Sequence, residues 1–225
     1  MLNWNNIPLQ MKNEEVKYYY KILKRKKVNF FLKRVFDIIF SLALLVLLSP
    51  IMLIVAVLIK FDSDGPIFYR QVRVTQFGRE FKIFKFRTMF TSKEKQVEIT
   101  VGDDPRITNI GKKIRGLRID ELPQLMNIFL GDMSFVGTRP EVPKFVACYT
   151  DEMKATLLVK AGVTSLASIE YKDEAKILDM SKNPETDYIQ IILPEKMKIN
   201  LSELEKFNIF NDLKVIILTF FKVFK

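Results

Sequence analysis

The chain has 225 residues, 48% of them hydrophobic, and a formal net charge of +10, which suits one compact domain plus a membrane element and anionic partners such as phosphorylated ligands, nucleic acid or an anionic bilayer. Histidine is absent and Cys148 is the single cysteine, which excludes His general bases, Ser-His and Cys-His pairs, zinc sites and an intrachain disulfide. Any catalysis must run on Asp, Glu, Lys, Arg, Tyr, Ser or Thr, or on a hard cation held by carboxylates; Cys148 itself reads as a small buried hydrophobe.

Residues 1–15 are polar and without periodicity, which predicts a mobile arm. Residues 16–34 set Tyr18, Tyr19 and Tyr20 beside Lys21, Lys24, Arg25, Lys26, Lys27, Lys33 and Arg34. Aromatics next to a polybasic run suit a segment at lipid-headgroup level. Residues 38–59 form a nearly unbroken apolar stretch of about 22 residues, long enough to cross a bilayer core of about 30 Å. A single span is the simplest reading. Against it stand Ser49-Pro50 at its centre, where a sharp bend is expected, and basic residues on both flanks, with Lys60, Arg70, Arg73 and Arg79 following. A spanning helix should carry Lys and Arg asymmetrically. The sequence therefore favours a broken helix that dips into one leaflet and returns to the same side.

Residues 66–90 read as a β-hairpin turning near Gly78. Residues 102–112, with Gly102, Asp103, Asp104, Pro105 and Gly111, read as a turn-rich connection. Helices are predicted over about 112–118 and 121–130, a loop with two prolines over 131–143, helices over 144–160 and 170–180, and a break at Asn183-Pro184. Residues 211–225 place Leu213, Ile217, Phe220, Phe221 and Phe224 on one helical face. That run is too short to span, so it should pack on the protein or lie along a bilayer.

The stretch Arg118-Ile119-Asp120-Glu121-Leu122-Pro123-Gln124-Leu125 carries the chemistry. Leu122, Leu125, Met126, Phe129 and Leu130 follow helical spacing, and Gly131 stops the helix. Pro123 belongs in a first turn, which puts Asp120 at or near the N-cap. There a carboxylate can accept backbone hydrogen bonds, the helix dipole favours its ionised form, and free N–H groups suit a phosphate. Adjacent Asp and Glu point in different directions and can divide attack and cation binding between them. A well-capped helix and nothing more is the bland alternative.

In their order along the chain, several motifs give this sequence a family likeness. They are Lys33-Arg34-Val35-Phe36-Asp37, Ser49-Pro50, Gly65-Pro66-Ile67-Phe68, Gln71 with Arg73, Lys85-Phe86-Arg87-Thr88-Met89 and Asp104-Pro105-Arg106-Ile107-Thr108. Asp120-Glu121-Leu122-Pro123-Gln124-Leu125 and Gly131-Asp132-Met133-Ser134-Phe135-Val136-Gly137-Thr138-Arg139-Pro140 complete the set. Over roughly residues 30–180 the sequence resembles the bacterial sugar transferases, the monotopic polyprenyl-phosphate phosphoglycosyl transferases. The resemblance implies a re-entrant membrane helix bent at Ser49 and Pro50. It implies that Asp120 attacks the β-phosphorus of a UDP-sugar, expelling UMP, and that polyprenyl phosphate, such as undecaprenyl phosphate, then takes the phosphosugar. It also implies Mg²⁺ held with the help of Glu121. A carboxylate is a competent covalent nucleophile and Mg²⁺ prefers oxygen ligands. Lys85, Arg87, Arg115, Arg118 and Arg139 are the candidates to neutralise phosphate charge, Arg139 foremost because Pro140 and Pro143 stiffen its loop. Three places depart from the family pattern: Thr75 stands for a glycine, Thr138 for a proline, and residues 161–168 for a Pro-Gly-Ile-Thr-Gly-Trp-Ala run.

The expected fold is α+β. A mobile arm and basic interfacial helix (1–34) precede a re-entrant helix-break-helix (35–60). A small, mostly helical catalytic domain (61–225) follows, with a β-hairpin and amphipathic surface helices. The implied setting is the bacterial inner membrane with the domain facing the cytoplasm, in polysaccharide or glycan assembly. The expected partners are a UDP-sugar, polyprenyl phosphate and membrane lipid, with a homodimer left open. A nucleic-acid binder is disfavoured because the cations cluster around membrane flanks and carboxylates and form no reading face. A non-catalytic membrane adaptor would leave Asp120 and Glu121 with a folding role alone.

Overall fold

A computed structural model describes residues 2–90 and 104–223. Two 3-10 turns, Trp4–Asn6 and Leu9–Met11, precede α1 (Glu14–Lys24), whose start is capped by Asn13 Oδ1 accepting the Val16 N–H at 2.7 Å. This end of the chain is packed, where the sequence predicts a mobile arm. Ile7, Met11, Val16, Tyr19, Tyr20 and Leu23 are buried in the largest core with residues from the C-terminal third. The Tyr19 hydroxyl donates to Glu152 at 3.0 Å, and the Trp4 ring packs on Tyr20. Tyr19 and Tyr20 therefore meet protein, whereas Tyr18 is exposed.

The spine is α2 (Lys27–Asp62), one continuous helix that runs through Pro50. Proline lacks the N–H that would have met the Val46 carbonyl. Ser49 Oγ donates to that carbonyl at 2.8 Å and supplies the missing partner. The helical hydrogen bonding therefore continues through Ser49-Pro50, where the sequence predicts a break.

Three stretches of α2 dock on the same domain. At its start Lys33 donates to the Val136 carbonyl and pairs with Asp212, Arg34 donates to the Ile128 and Phe129 carbonyls at 2.8 Å each, and Asp37 accepts from Ser134 and Phe135. In its middle Leu44, Leu45 and Leu48 join Phe81, Ile83, Leu125, Ile128 and Met133. Near its end Met52, Val55, Ala56 and Ile59 join Phe86 and Ile114, and Asp62 accepts the Ile110 N–H at 3.0 Å. Other apolar side chains of α2, among them Val46, Leu47, Leu53, Ile54 and Phe61, are exposed.

β1 (Phe68–Val74) and β2 (Glu80–Phe86) form the expected antiparallel hairpin, with Phe77 and Gly78 at positive φ in its turn. α3 (Asn109–Gly116) begins at Thr108, whose Oγ1 accepts the Gly111 N–H. Gly102 and Asp103 of the predicted connection lie outside the described residues. α4 (Gln124–Leu130) ends at Gly131, φ +91; the Asp132 N–H reaches back to the Asn127 carbonyl, closing a Schellman turn. Its buried face is Gln124, Leu125, Asn127 and Ile128, whereas Phe129 and Leu130 are exposed, so the expected apolar face is rotated.

The predicted loop over 131–143 contains β3 (Met133–Val136), which pairs in parallel with β4 (Ala161–Thr164). Pairing partners that distant leave no local signal. α5 (Pro143–Val146), a 3-10 stretch (Met153–Leu158), α6 (Leu166–Glu170), α7 (Glu174–Asp179) and α8 (Pro184–Asp187) are shorter than the helices predicted there. α9 (Leu193–Glu205) follows a π-helical turn, and α10 (Ile209–Val223) closes the chain. α10 buries Val215 against Val136 and Ile169, and leaves Leu213, Ile217, Phe220 and Phe221 outside. Phe224 lies outside the described residues. Cys148, expected to be buried, is exposed.

Candidate active site

Asp120 and Glu121 sit in a 3-10 turn (Ile119–Glu121) between α3 and α4. The turn is aimed by Arg118, which adopts a left-handed φ of +54°, and whose carbonyl accepts the Glu121 N–H at 3.2 Å. A non-glycine residue in that conformation costs on the order of 1 kcal/mol, so the surrounding packing has to hold it. Ile119 supplies part of that packing by joining the cluster around Val55 and Ile59 of α2. α4 starts only at Gln124 with Pro123 in the cap position. Asp120 is therefore not the N-cap; it lies one turn earlier, and no described backbone N–H donates to its side chain.

Glu121 Oε1 accepts from Lys85 Nζ and from Arg139 Nη2, each at 2.8 Å. Burial alone would raise its pKa, but Arg139 and Lys85 outweigh that and hold it well below the usual carboxylate range. Asp120 goes the other way. Burial, and then the Glu121 charge, push it up to about 6 against the pull of Lys85, Arg115 and Arg139. The low pKa that an N-cap would give is thus corrected to a raised one. Two adjacent carboxylates have opposite fates: one is locked into an ion-pair network, the other is held near its point of ionisation.

Lys85 reaches the site from β2, which Asn127 stitches to α4. Asn127 Oδ1 accepts the Phe84 N–H at 2.8 Å and its Nδ2 donates to the Lys82 carbonyl at 3.1 Å. Arg139 comes from the loop after β3, pinned where Gly137 and Gly162 pass at backbone contact; a Cβ on Gly162 would lie 2.1 Å from Gly137 N. The carbonyl of Pro140 accepts from Arg73, and behind the loop Tyr188 donates to Glu141 at 2.5 Å. Lys196 bonds Glu174 and Tyr188 in turn. Neither the Asn127 stitch nor the Glu141 network was read from the sequence, although a polar residue on an apolar helix face and a glutamate directly after Arg-Pro were visible hints. Thr75, at the family's glycine position, is buried and donates to the Asp132 carbonyl while accepting the Ala161 N–H.

The other predicted residues divide. Arg115 Nη1 is buried with no hydrogen-bond partner among the described residues, a donor suited to a phosphate oxygen. Arg118 is exposed beside the turn. Arg87 points its Nη1 and Nη2 away from the carboxylate pair, to the Ile59, Ser63 and Asp64 carbonyls at the C-terminus of α2, while its Nε is buried without a hydrogen-bond partner among the described residues. Ser49 and Pro50 serve the helix as described above. Among the described residues no cluster of three His, Cys, Asp or Glu is present. Glu121 Oε2 accepts no hydrogen bond from them, so the residues fit a Mg²⁺ ion held jointly by that oxygen and by phosphates of a bound substrate.

The bacterial sugar transferase family model matches residues 28–225. A UDP-glucose:undecaprenyl-phosphate glucose-1-phosphate transferase of Klebsiella pneumoniae is 37% identical over 204 residues, 88% of this chain and 41% of that protein. A UDP-N-acetylgalactosamine-undecaprenyl-phosphate N-acetylgalactosaminephosphotransferase of Aeromonas hydrophila is 39% identical over 165 residues, 72% of this chain and 39% of its own length. The chain thus spans about two fifths of these relatives. A sugar transferase of Bacillus subtilis is covered over 87% of its length at 32% identity.

Proposed function

Since the chain belongs to the bacterial sugar transferase family, we propose that it is a phosphoglycosyl transferase moving a phosphosugar from a UDP-sugar to a polyprenyl phosphate such as undecaprenyl phosphate. The observation that carries this reading is the divided carboxylate pair, Asp120 raised to about 6 beside Glu121 clamped by Lys85 and Arg139.

An oxygen of ionised Asp120 attacks the β-phosphorus of the UDP-sugar; the bond to the UMP phosphate oxygen breaks and UMP leaves. The phosphosugar then rests on Asp120 as an acyl phosphate ester. A phosphate oxygen of the polyprenyl phosphate attacks the same phosphorus, the Asp120 oxygen–phosphorus bond breaks, and the carboxylate returns as polyprenyl-diphosphate-sugar forms. Glu121 is a poor competitor for attack because two cations hold its Oε1. Lys85, Arg139 and the unpartnered Arg115 Nη1 lay positive charge along the path of the phosphates. Mg²⁺ bound through Glu121 would offset phosphate charge during both transfers.

Both ends of α2 dock on one domain, from Lys33 and Arg34 at its start to Ile59 and Asp62 near its end. A helix of that length is about 54 Å, yet neither end can cross to the far side of a bilayer without leaving its partners. That supports a helix lying in one leaflet, entered and left from the same side. In the family's setting that is the cytoplasmic face of the inner membrane. Lipid would cover its outer residues and the exposed side of α10.

UMP release from a panel of UDP-sugars tests the reaction. Sustained release should require polyprenyl phosphate, and Asp120→Asn should lose it by several powers of ten. No UMP from any UDP-sugar in the presence of acceptor would overturn the proposal.

A further inference from the structure

We infer that Leu117, continuing the face of α3 that packs on the second half of α2, forms the contact for the isoprenoid tail of the acceptor, with Arg118 beside it for the phosphate head. The inference rests on the transferase reading and deepens it. Ile110 and Ile114 of α3 lie in one cluster with Val55 and Ile59 of α2. Helical spacing puts Leu117 on the same side, one turn further on. Yet Leu117 is 68% exposed, as are Ile54, Leu58 and Phe61 on α2. The chain then turns sharply at Arg118, and Ile119 returns to the α2 cluster immediately before Asp120.

The nucleophile is thus one residue from the lipid-facing helix and three from an exposed leucine. No described residue holds the Arg118 side chain by a hydrogen bond or ion pair. An acceptor with a phosphate at one end of a long hydrocarbon must bring that phosphate to Asp120 while its tail stays in lipid. A free guanidinium and a bare leucine on consecutive residues, at the junction of α2 and the site, match both halves of such a molecule. The occupant is the single-chain polyprenyl phosphate; a bulk phospholipid is the competing occupant that the experiment separates.

The test uses the full chain in lipid nanodiscs and follows the two half-reactions separately. With UDP-sugar alone, Leu117→Asn should release the same stoichiometric burst of UMP as the parent. With long-chain polyprenyl phosphate, the acceptor concentration needed for half-maximal discharge should rise about tenfold or more. Leu117→Met should restore it, and a two-isoprene acceptor should be used equally by parent and variant. Added phospholipid should not compete. Unchanged acceptor dependence in Leu117→Asn, or competition by bulk phospholipid, overturns the assignment while leaving the transferase intact. No UMP burst from the parent overturns the transferase reading itself.

Discussion

Asp120 and Glu121 are neighbours in sequence with opposite electrostatics, so matched isosteric variants should move stability in opposite directions. The folded-state pKa of Asp120 lies above its ordinary value of 3.8, at about 6. The fold therefore prefers the protonated form; that contribution is complete below about pH 3.8 and is lost as pH rises through about 6. At neutral pH the charge on Asp120 costs stability, up to about 3 kcal/mol for roughly two powers of ten in proton affinity. Asp120→Asn should raise Tm at pH 7.5. Glu121→Gln should lower Tm, with a stability loss on the order of 2–3 kcal/mol, since Lys85 and Arg139 lose their counter-ion in a partly buried site. Thermal unfolding of the two variants checks both signs, and a lower Tm for Asp120→Asn would mean that its charge is stabilising. The same pKa predicts that the rate of UMP burst falls about tenfold per pH unit below about 6. A rate flat down to pH 4.5 would contradict it. The absence of His made the carboxylate chemistry legible in the sequence, and the spacing Asp120-Glu121-Pro123 located the pair. The pKa of Asp120 was not legible, because its largest cause is burial, which the tertiary fold sets, with the Glu121 charge second.

Elements written in local periodicity were readable: the hairpin β1–β2, the stop of α4 at Gly131, and the apolar run of α2. What failed was anything settled by a partner far along the chain. Pro50 signalled a break, but the hydroxyl of Ser49 restores the lost acceptor contact and α2 continues. Arg87 looked like a phosphate ligand within Lys85-Phe86-Arg87, yet β2 ends at Phe86 and the two cations meet different partners: Lys85 pairs with Glu121, Arg87 with the end of α2. The junction of β2 and α4 rests on Asn127, fully buried and bonded to both neighbouring strand groups. Asn127→Leu should leave the Phe84 N–H and the Lys82 carbonyl without these partners and destabilise the protein by about 2–4 kcal/mol. It should also loosen Lys85 enough to slow the UMP burst, whereas a stability loss with an unchanged burst would show that β2 holds its register unaided.

At the scale of the molecule, residues 7–23 and the C-terminal third share one core, and α2 is strapped to the domain at both ends. Cysteine labelling in intact cells tests the resulting topology. In a Cys148→Ser background, Lys21→Cys and Asp64→Cys should both be shielded from an impermeant reagent until the cells are permeabilised, and opposite accessibility of the two would restore a single span. Sequence composition pointed to a membrane element and an anionic ligand, but it could not show that Lys33 and Arg34 serve internal carbonyls and Asp212 in place of lipid. The central claim is that Asp120 carries the phosphosugar between two substrates. The most direct measurement is mass spectrometry of the enzyme quenched after mixing with UDP-sugar and no lipid acceptor. A mass increase of one phosphosugar on the peptide containing Asp120, lost in Asp120→Asn and discharged by polyprenyl phosphate, is the predicted result. An unmodified peptide at full turnover, with kinetics that require both substrates to be bound together, would contradict it.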